Sequence, residues 1–560
     1  MKKHFKKMMA LVLAMVMTLA MGISVFAAET PQGGLTVDPE ISVTGLQQND
    51  SVTFYKVLKW DNGWKVADGF TLSEAELATV VGDKTTPGAI SSTLAGTLAT
   101  QAAAASSAKT YTGTADASGK AKADNPEAGL YIALITPAKT GYTYNPVFVG
   151  ADYKQNATGD TSTWDVTTDL SYSDTAMAKK NEIKVDKTAK DATTIDTNDQ
   201  ETVGVGDTVT FTVKTTIPGF SSDYTKPVFK VTDALSTGLE LDDTTITLVK
   251  PAGLVANTQY TVTADGKKGF TLSFVDTYLK TVKTATEVEI TYKAKVTSTA
   301  PKSVNHEDNT VTVNYSNSPS DQEGHGTLKD KTNHYTFDID GDLFGETPYK
   351  ATEVVKVGVD KDGNEITETV TLANGKTVGA LQGAEFKLYK DQACTQEYSN
   401  DVFSNPIITD AQGRMTIKGL DAGKYWIKET KAPDGYIADQ DAHSIEIKAE
   451  VEEVTVTEGT GDAAISYKTN VLKSYTVEID GTETANYSIT NDATTTKITE
   501  QSKGDTVVGT DANKGKIKNT QGVELPSTGG IGTTIFYLVG AILVLGAGIL
   551  LVTRRRMNVN

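Results

Sequence analysis

Strict alternation constrains this chain more than any other feature. In "TVTFTVKTTI" (Thr208 to Ile217) and "VEITYKAKV" (Val288 to Val296) apolar and polar residues change places at almost every step. That is the period of a half-buried β-strand and not of a helix. The same period recurs along most of the 560 residues, enough for three or four domains by length, and predicts an all-β chain. An Ala-rich stretch from Thr71 to Ser107 is the exception and reads as helix or as an inserted loop.

The two ends place those strands outside a cell. Lys2, Lys3, Lys6 and Lys7 precede an apolar run from Met8 to Met21, and Val25-Phe26-Ala27 supplies small residues at −3 and −1, so a signal peptide (1–27) cleaved after Ala27 is expected. Residues 531–552 form an apolar run of about 20 residues, long enough to span a bilayer as a helix. Arg554, Arg555 and Arg556 follow in a short tail (553–560), which keeps that end cytoplasmic and everything before the span outside. With one cysteine, Cys394, an exported chain cannot close an intramolecular disulfide, so another kind of staple is expected. The net charge of −18 argues against nucleic acid. Five unclustered histidines, no nucleophile motif and no metal constellation argue against an enzyme, a cofactor or a bound metal. "DKDGNE" and "DIDGD" carry glycine at position 4, where a calcium loop needs it at position 6, and read as hairpin turns.

Just ahead of the span stands Leu525-Pro526-Ser527-Thr528-Gly529. A pentapeptide, an apolar span and an arginine tail in that order resemble the LPxTG sorting signal of Gram-positive surface proteins, which a sortase cuts between Thr and Gly. The resemblance implies that Thr528 becomes an acyl donor to an amine elsewhere.

"DASGKAKADNPEAGLYIALITPAKTGY" (Asp116 to Tyr142) aligns without a gap on "DAQGRMTIKGLDAGKYWIKETKAPDGY" (Asp410 to Tyr436), two copies of one supersecondary unit. The second copy resembles the Y-x-I/L-x-E-T-x-A-P-x-G-Y segment of collagen-adhesin B-type (Cna B) domains, immunoglobulin-like sandwiches in which the glutamate promotes a Lys to Asn isopeptide bond. That glutamate corresponds to Glu429; the first copy has Ile135 instead, so no such bond is expected in the first domain. The chemistry requires a neutral lysine, which burial favours, and a neutral acid able to polarise the asparagine amide through its oxygen.

Parity tells which residues share a strand face. Lys187 shares parity with Ile183 and Val185, Asp233 with Phe229 and Val231, and Asn309 with Val311 and Val313. The segments around them resemble the second domain of major fimbrial subunits, which implies a Lys187–Asn309 bond promoted by Asp233. Glu429 shares parity with Tyr425 and Ile427, and Asn519 with Ile517. Lys356 shares parity with Val354 but opposes the stripe Val355, Val357, Val359. Asn491 competes with Asn519; the family's last-strand asparagine favours Asn519 as the partner of Lys356.

Over its length the chain resembles the precursor of a Gram-positive sortase-assembled major (backbone) pilin, built of tandem Cna A/Cna B-type β-sandwiches. That implies an N-terminal domain (29–180), a fimbrial isopeptide-forming domain (183–333), a Cna B-type domain with an insertion (334–522) and the sorting motif (525–529). Shaft pilins carry an acceptor lysine near the end of the first domain. "KKN" at 179–181, downstream of Trp164, offers Lys180, with Lys179 as its alternative. The implied product is a covalent head-to-tail polymer of the chain itself. It would be assembled by a pilin sortase, anchored to peptidoglycan by a housekeeping sortase, and accompanied by ancillary tip or base pilins and a host surface as partners. The alternative is a monomeric wall-anchored adhesin, which shares every motif except the acceptor lysine.

Overall fold

A computed structural model describes residues 39–522 and 531–557, apart from 62, 84–85, 87, 152, 156–163, 167–169, 171, 192–200, 221–223, 225, 298–303, 320, 340–354, 367–368, 372–376, 380, 411–412 and 504–514. Ala27 and the sorting motif 525–529 lie outside the described residues. Strands dominate, as the alternation requires, and they gather into successive sandwiches along the chain.

The first sandwich sets a three-stranded sheet (Thr175–Met177, Glu40–Thr44, Ala121–Asp124) against a five-stranded one built on Ser51–Trp60 and Gly129–Thr136. "GLYIALIT" is apolar at nearly every position because both of its faces are covered. Tyr131, Ala133 and Ile135 face the sandwich interior, while Leu130 and Ile132 pack under two helices, Glu74–Val81 and Ser92–Ala104. The Ala-rich stretch supplies those helices. Ser73 and Glu76 close a reciprocal capping box at the start of the first, and the Ser91 hydroxyl caps the second.

In the middle sandwich a four-stranded sheet, in the order Val185–Asp191, Thr208–Ile217, Thr286–Val296, Leu239–Lys250, faces a six-stranded sheet. The latter contains Phe229–Leu235 and Val304–Tyr315 side by side, then Gly326–Ile339 and Ile417–Leu420. Gly326–Ile339 runs through the boundary expected at 333/334. Its Leu328 packs on the middle core, whereas Tyr335, Phe337 and Ile339 belong to the third core. One strand thus serves both modules, so no free linker separates them at this point.

The third sandwich adds a seven-stranded antiparallel sheet, including Glu385–Tyr389, Gly423–Lys431, Ala442–Glu458, Ile465–Ile479 and Thr482–Asn491, and a parallel pair, Val355–Val359 with Lys516–Thr520. Within the insertion, residues 442–503 form hairpins that extend this sheet and contribute Leu472, Tyr475, Val477 and Tyr487 to its core. A polar seam fastens it to the shared strand: Asn333 donates to Asn470 O at 2.7 Å and accepts from Thr496, and Lys331 Nζ reaches Asp308 at 2.8 Å and Thr495 O at 2.6 Å.

The helix Ile531–Met557 closes the described chain. Its segment Ile535–Arg555, mean hydropathy 2.7, is long and apolar enough to cross a membrane.

Candidate functional site

Two lysines are buried among the described residues in an unusual way: each lies beside a carboxyl and near an asparagine amide, inside an apolar core. In the middle sandwich Lys187 enters from the edge strand of the four-stranded sheet. Asp233 and Asn309 enter from adjacent strands of the opposite sheet, where Asp233 pairs with Val311 and Asn309 with Leu235. The acid and the amide are therefore diagonal neighbours on one face. All three residues are buried, and the side chains of Lys187 and Asp233 are wholly out of reach of water.

Lys187 Nζ donates to Asp233 Oδ2 and to Tyr292 Oη. Asn309 Nδ2 donates to the same hydroxyl at 2.8 Å, so Tyr292 bridges the amine and the amide. The Phe211 and Tyr292 rings stack at 5.3 Å and the amine lies 5.1 Å from each centroid. Desolvation lowers the affinity of Lys187 for its proton and raises the Tyr292 hydroxyl well above the usual phenol range. Asp233 Oδ1 and Asn309 Oδ1 are both buried acceptors without a donor. Behind the lysine, Asp330 accepts from the Lys187 backbone N–H at 2.6 Å, and burial pushes its carboxyl up to about 7.

In the third sandwich Lys356 and Asn519 stand on the parallel pair, with Lys356 opposite Ile517 and Gly358 opposite Asn519. Alternation left the orientation of Lys356 open because its strand is buried on both faces: Val357 and Val359 are as inaccessible as Lys356 itself. Glu429 reaches across from Gly423–Lys431. Lys356 Nζ lies 3.5 Å from Glu429 Oε2, 5.2 Å from the Phe386 ring centroid, and has no hydrogen-bond partner. Burial brings this amine down to about 8. Glu429 Oε2 accepts the Asp439 backbone N–H at 2.6 Å, and Oε1 accepts from Asn519 Nδ2 at 2.8 Å. The amide thus turns its nitrogen to the acid, where the chemistry read from the sequence has its oxygen there. A half-turn of the amide exchanges the two atoms. Tyr436, the last residue of the repeat, presses its ring on this strand so closely that a Cβ at Gly358 would meet it at 2.7 Å.

Asn491 is not part of this cluster. Its Nδ2 donates to Leu472 O at 2.7 Å, within the inserted hairpins. Ile135 is buried in the first sandwich, and a buried lysine there, Lys56, pairs with Glu127 at 2.7 Å. Lys179 and Lys180 are both exposed. Lys180 opens the strand Lys180–Glu182, which pairs with Tyr142–Tyr144, and its amine lies over the Tyr142 ring at 5.0 Å. Sequence reasoning missed Tyr292, Phe211 and Phe386. Tyr292 shares the inward parity of Val288, Ile290 and Ala294, which marked it as buried, but only the sheet pairing brings it to Lys187.

Comparison with known proteins agrees with this architecture. Residues 367–460 match the model of the SpaA prealbumin-like fold domain, and residues 517–559 that of the LPXTG cell wall anchor motif. The chain is 27% identical over 461 residues to the trypsin-resistant surface T6 protein of Streptococcus pyogenes serotype M6, covering 77% of this chain and 79% of the relative. The solved T6 backbone pilin of the same serotype, described as a modular three-domain structure decorated with variable loops and extensions, is similar at a TM-score of 0.54 and 20% identity, over 87% of this chain and 99% of that one. The full-length major pilin SpaD of Corynebacterium diphtheriae aligns at a TM-score of 0.41 and 21% identity, over 73% and 89%. The likeness to T6 is one of fold.

Proposed function

We propose that this chain is the precursor of a sortase-assembled backbone pilin, the repeating subunit of a covalent surface shaft anchored to a Gram-positive cell wall. The LPXTG anchor match, the T6 relative and the exported all-β modules support that reading, and the two buried lysine centres carry it. An exported chain without disulfides needs another covalent staple, and each centre has the parts for one.

In each centre the neutral lysine amine attacks the asparagine Cγ. The Cγ–Nδ2 bond breaks, an Nζ–Cγ amide forms, and Nδ2 leaves as ammonia. In the third sandwich Glu429 serves as a two-ended proton shuttle: Oε2, on the Lys356 side, takes a proton from Nζ, and Oε1, beside Asn519, returns one to the departing Nδ2. The acid ends the reaction protonated, as it began. In the middle sandwich Asp233 plays this part, and Tyr292 holds amine and amide together. Desolvation serves the reaction directly, because it disfavours the ammonium that cannot attack.

Thr528 then joins the amine of Lys180 on the next copy, with Lys179 as the alternative acceptor. A wall-anchored monomer would share both staples and the anchor. Boiling wall extracts in detergent and probing them for this protein separates the two readings: a ladder of high-mass species supports the polymer, and a single band of subunit size supports the monomer.

A further inference from the structure

His443 lies just beyond the repeat motif and is absent from the chemistry above. Both of its ring nitrogens face carboxylates: Nδ1 is 2.7 Å from Asp480 Oδ2 and Nε2 is 2.9 Å from Asp439 Oδ2. Two acceptors require two N–H donors, so the ring is an imidazolium. The two acids hold that charge, with the ring titrating at about 9. They come from different places. Asp480 sits at the tip of the inserted hairpin, at a φ of 49°, and its carboxylate also takes the Ser444 N–H at 2.8 Å. Asp439 belongs to the segment whose backbone N–H is bonded to Glu429 Oε2 at 2.6 Å. That segment is tied on its other side by Ile437 N–H to Thr520 O at 2.9 Å, one residue past Asn519.

We propose that His443 is a positioning residue for amide exchange at Lys356: by bridging Asp439 and Asp480 it holds the Asp439 N–H on Oε2 of Glu429 and so fixes that carboxyl between the Lys356 amine and the Asn519 amide. This rests on the isopeptide reading of the third sandwich. The Asp439 N–H on Oε2 and the Asn519 Nδ2–H on Oε1 hold both carboxyl oxygens, so that the acid stands between the amine and the amide that are to be joined. The inserted hairpin, which supplies Asp480, thereby becomes part of the bond-forming apparatus as well as of the core.

The test is a pulse-chase of the full chain, with the Lys356–Asn519 and Lys187–Asn309 cross-linked peptides quantified over time by mass spectrometry. His443→Ala is expected to slow the third-domain bond about tenfold, the loss of roughly 1.4 kcal/mol of positioning, while the middle-domain bond keeps the parent rate. His443→Arg, which can span both carboxylates, restores much of the rate, and Asp480→Asn, a milder change at the hairpin tip, slows it in the same direction should His443→Ala fail to fold. Equal rates in parent and folded variants overturn the proposal, as does slowing that His443→Arg does not relieve, because that pattern reports packing alone. A parent chain that never forms the Lys356–Asn519 peptide defeats the isopeptide reading itself, an outcome distinct from both.

Discussion

Lys187 and Lys356 differ in how their amines are held, and that difference should appear in their chemistry. Lys187 has two hydrogen-bond acceptors, Lys356 has none. With Lys356 titrating at about 8, the neutral fraction rises as pH rises through that value. The initial rate of third-domain ammonia loss should therefore climb between about pH 6 and about pH 8, close to tenfold per unit at the acid end, and then level off. Mass spectrometry of nascent chain held at each pH reads this out, and a flat profile would count against a neutral-amine mechanism. Tyr292→Phe removes the hydroxyl shared by Lys187 and Asn309. It should slow the middle-domain bond by about tenfold, the worth of one good buried hydrogen bond, and leave the third-domain bond alone. Much of this geometry could be read from parity: Lys187, Asp233 and Asn309 share parity with Ile, Val and Phe residues of their strands, and such residues turn inward together. Lys356 could not be oriented that way because its neighbours on both parities are valines in a strand covered on both faces. Tyr292 and His443 were illegible for another reason, since what they touch is fixed by sheet pairing and by a hairpin more than 30 residues away.

Among the elements, the repeated strands show what one residue changes. Gly423–Lys431 presents Glu429 to a lysine and an asparagine; Gly129–Thr136 presents Ile135 to a packed apolar interior. Ile135→Glu should form no bond and should cost several kcal/mol, because a buried carboxyl there gains no partner. Chemical denaturation of the two chains measures it. The ungapped repeat in the sequence matched these two strands, and the Ala-rich stretch was marked as exceptional. The sequence did not reveal that Gly326–Ile339 would serve two modules, because nothing in a strand's own pattern says which of two cores lies beneath each half. That shared strand carries the seam to the inserted hairpins. Asn333→Leu removes the bonds to Asn470 O, His306 and Thr496 and should destabilise the hairpins by about 3 kcal/mol, seen as faster hydrogen exchange across residues 465–491.

At the scale of the whole molecule, the proposed covalent staples and covalent polymerisation would answer the same problem. Tension along a shaft would otherwise fall on hydrogen bonds worth ~1 kcal/mol net apiece. Each proposed Lys–Asn bond would close a loop of more than 100 residues, worth about 5 kcal/mol on the chain-entropy account developed for disulfides. Asn309→Ala should lose that much in equilibrium unfolding of the isolated subunit. Thr528→Ala and Lys180→Arg should each collapse the wall-extract ladder while leaving both internal bonds intact; a ladder surviving Lys180→Arg would move the acceptor to Lys179. The most direct test of the account is the intact mass of the exported chain, followed by peptide mapping. The account predicts a mass short by two molecules of ammonia, with Lys187 joined to Asn309 and Lys356 to Asn519. A mass equal to that of the unmodified sequence, or cross-links between other residues, would contradict it.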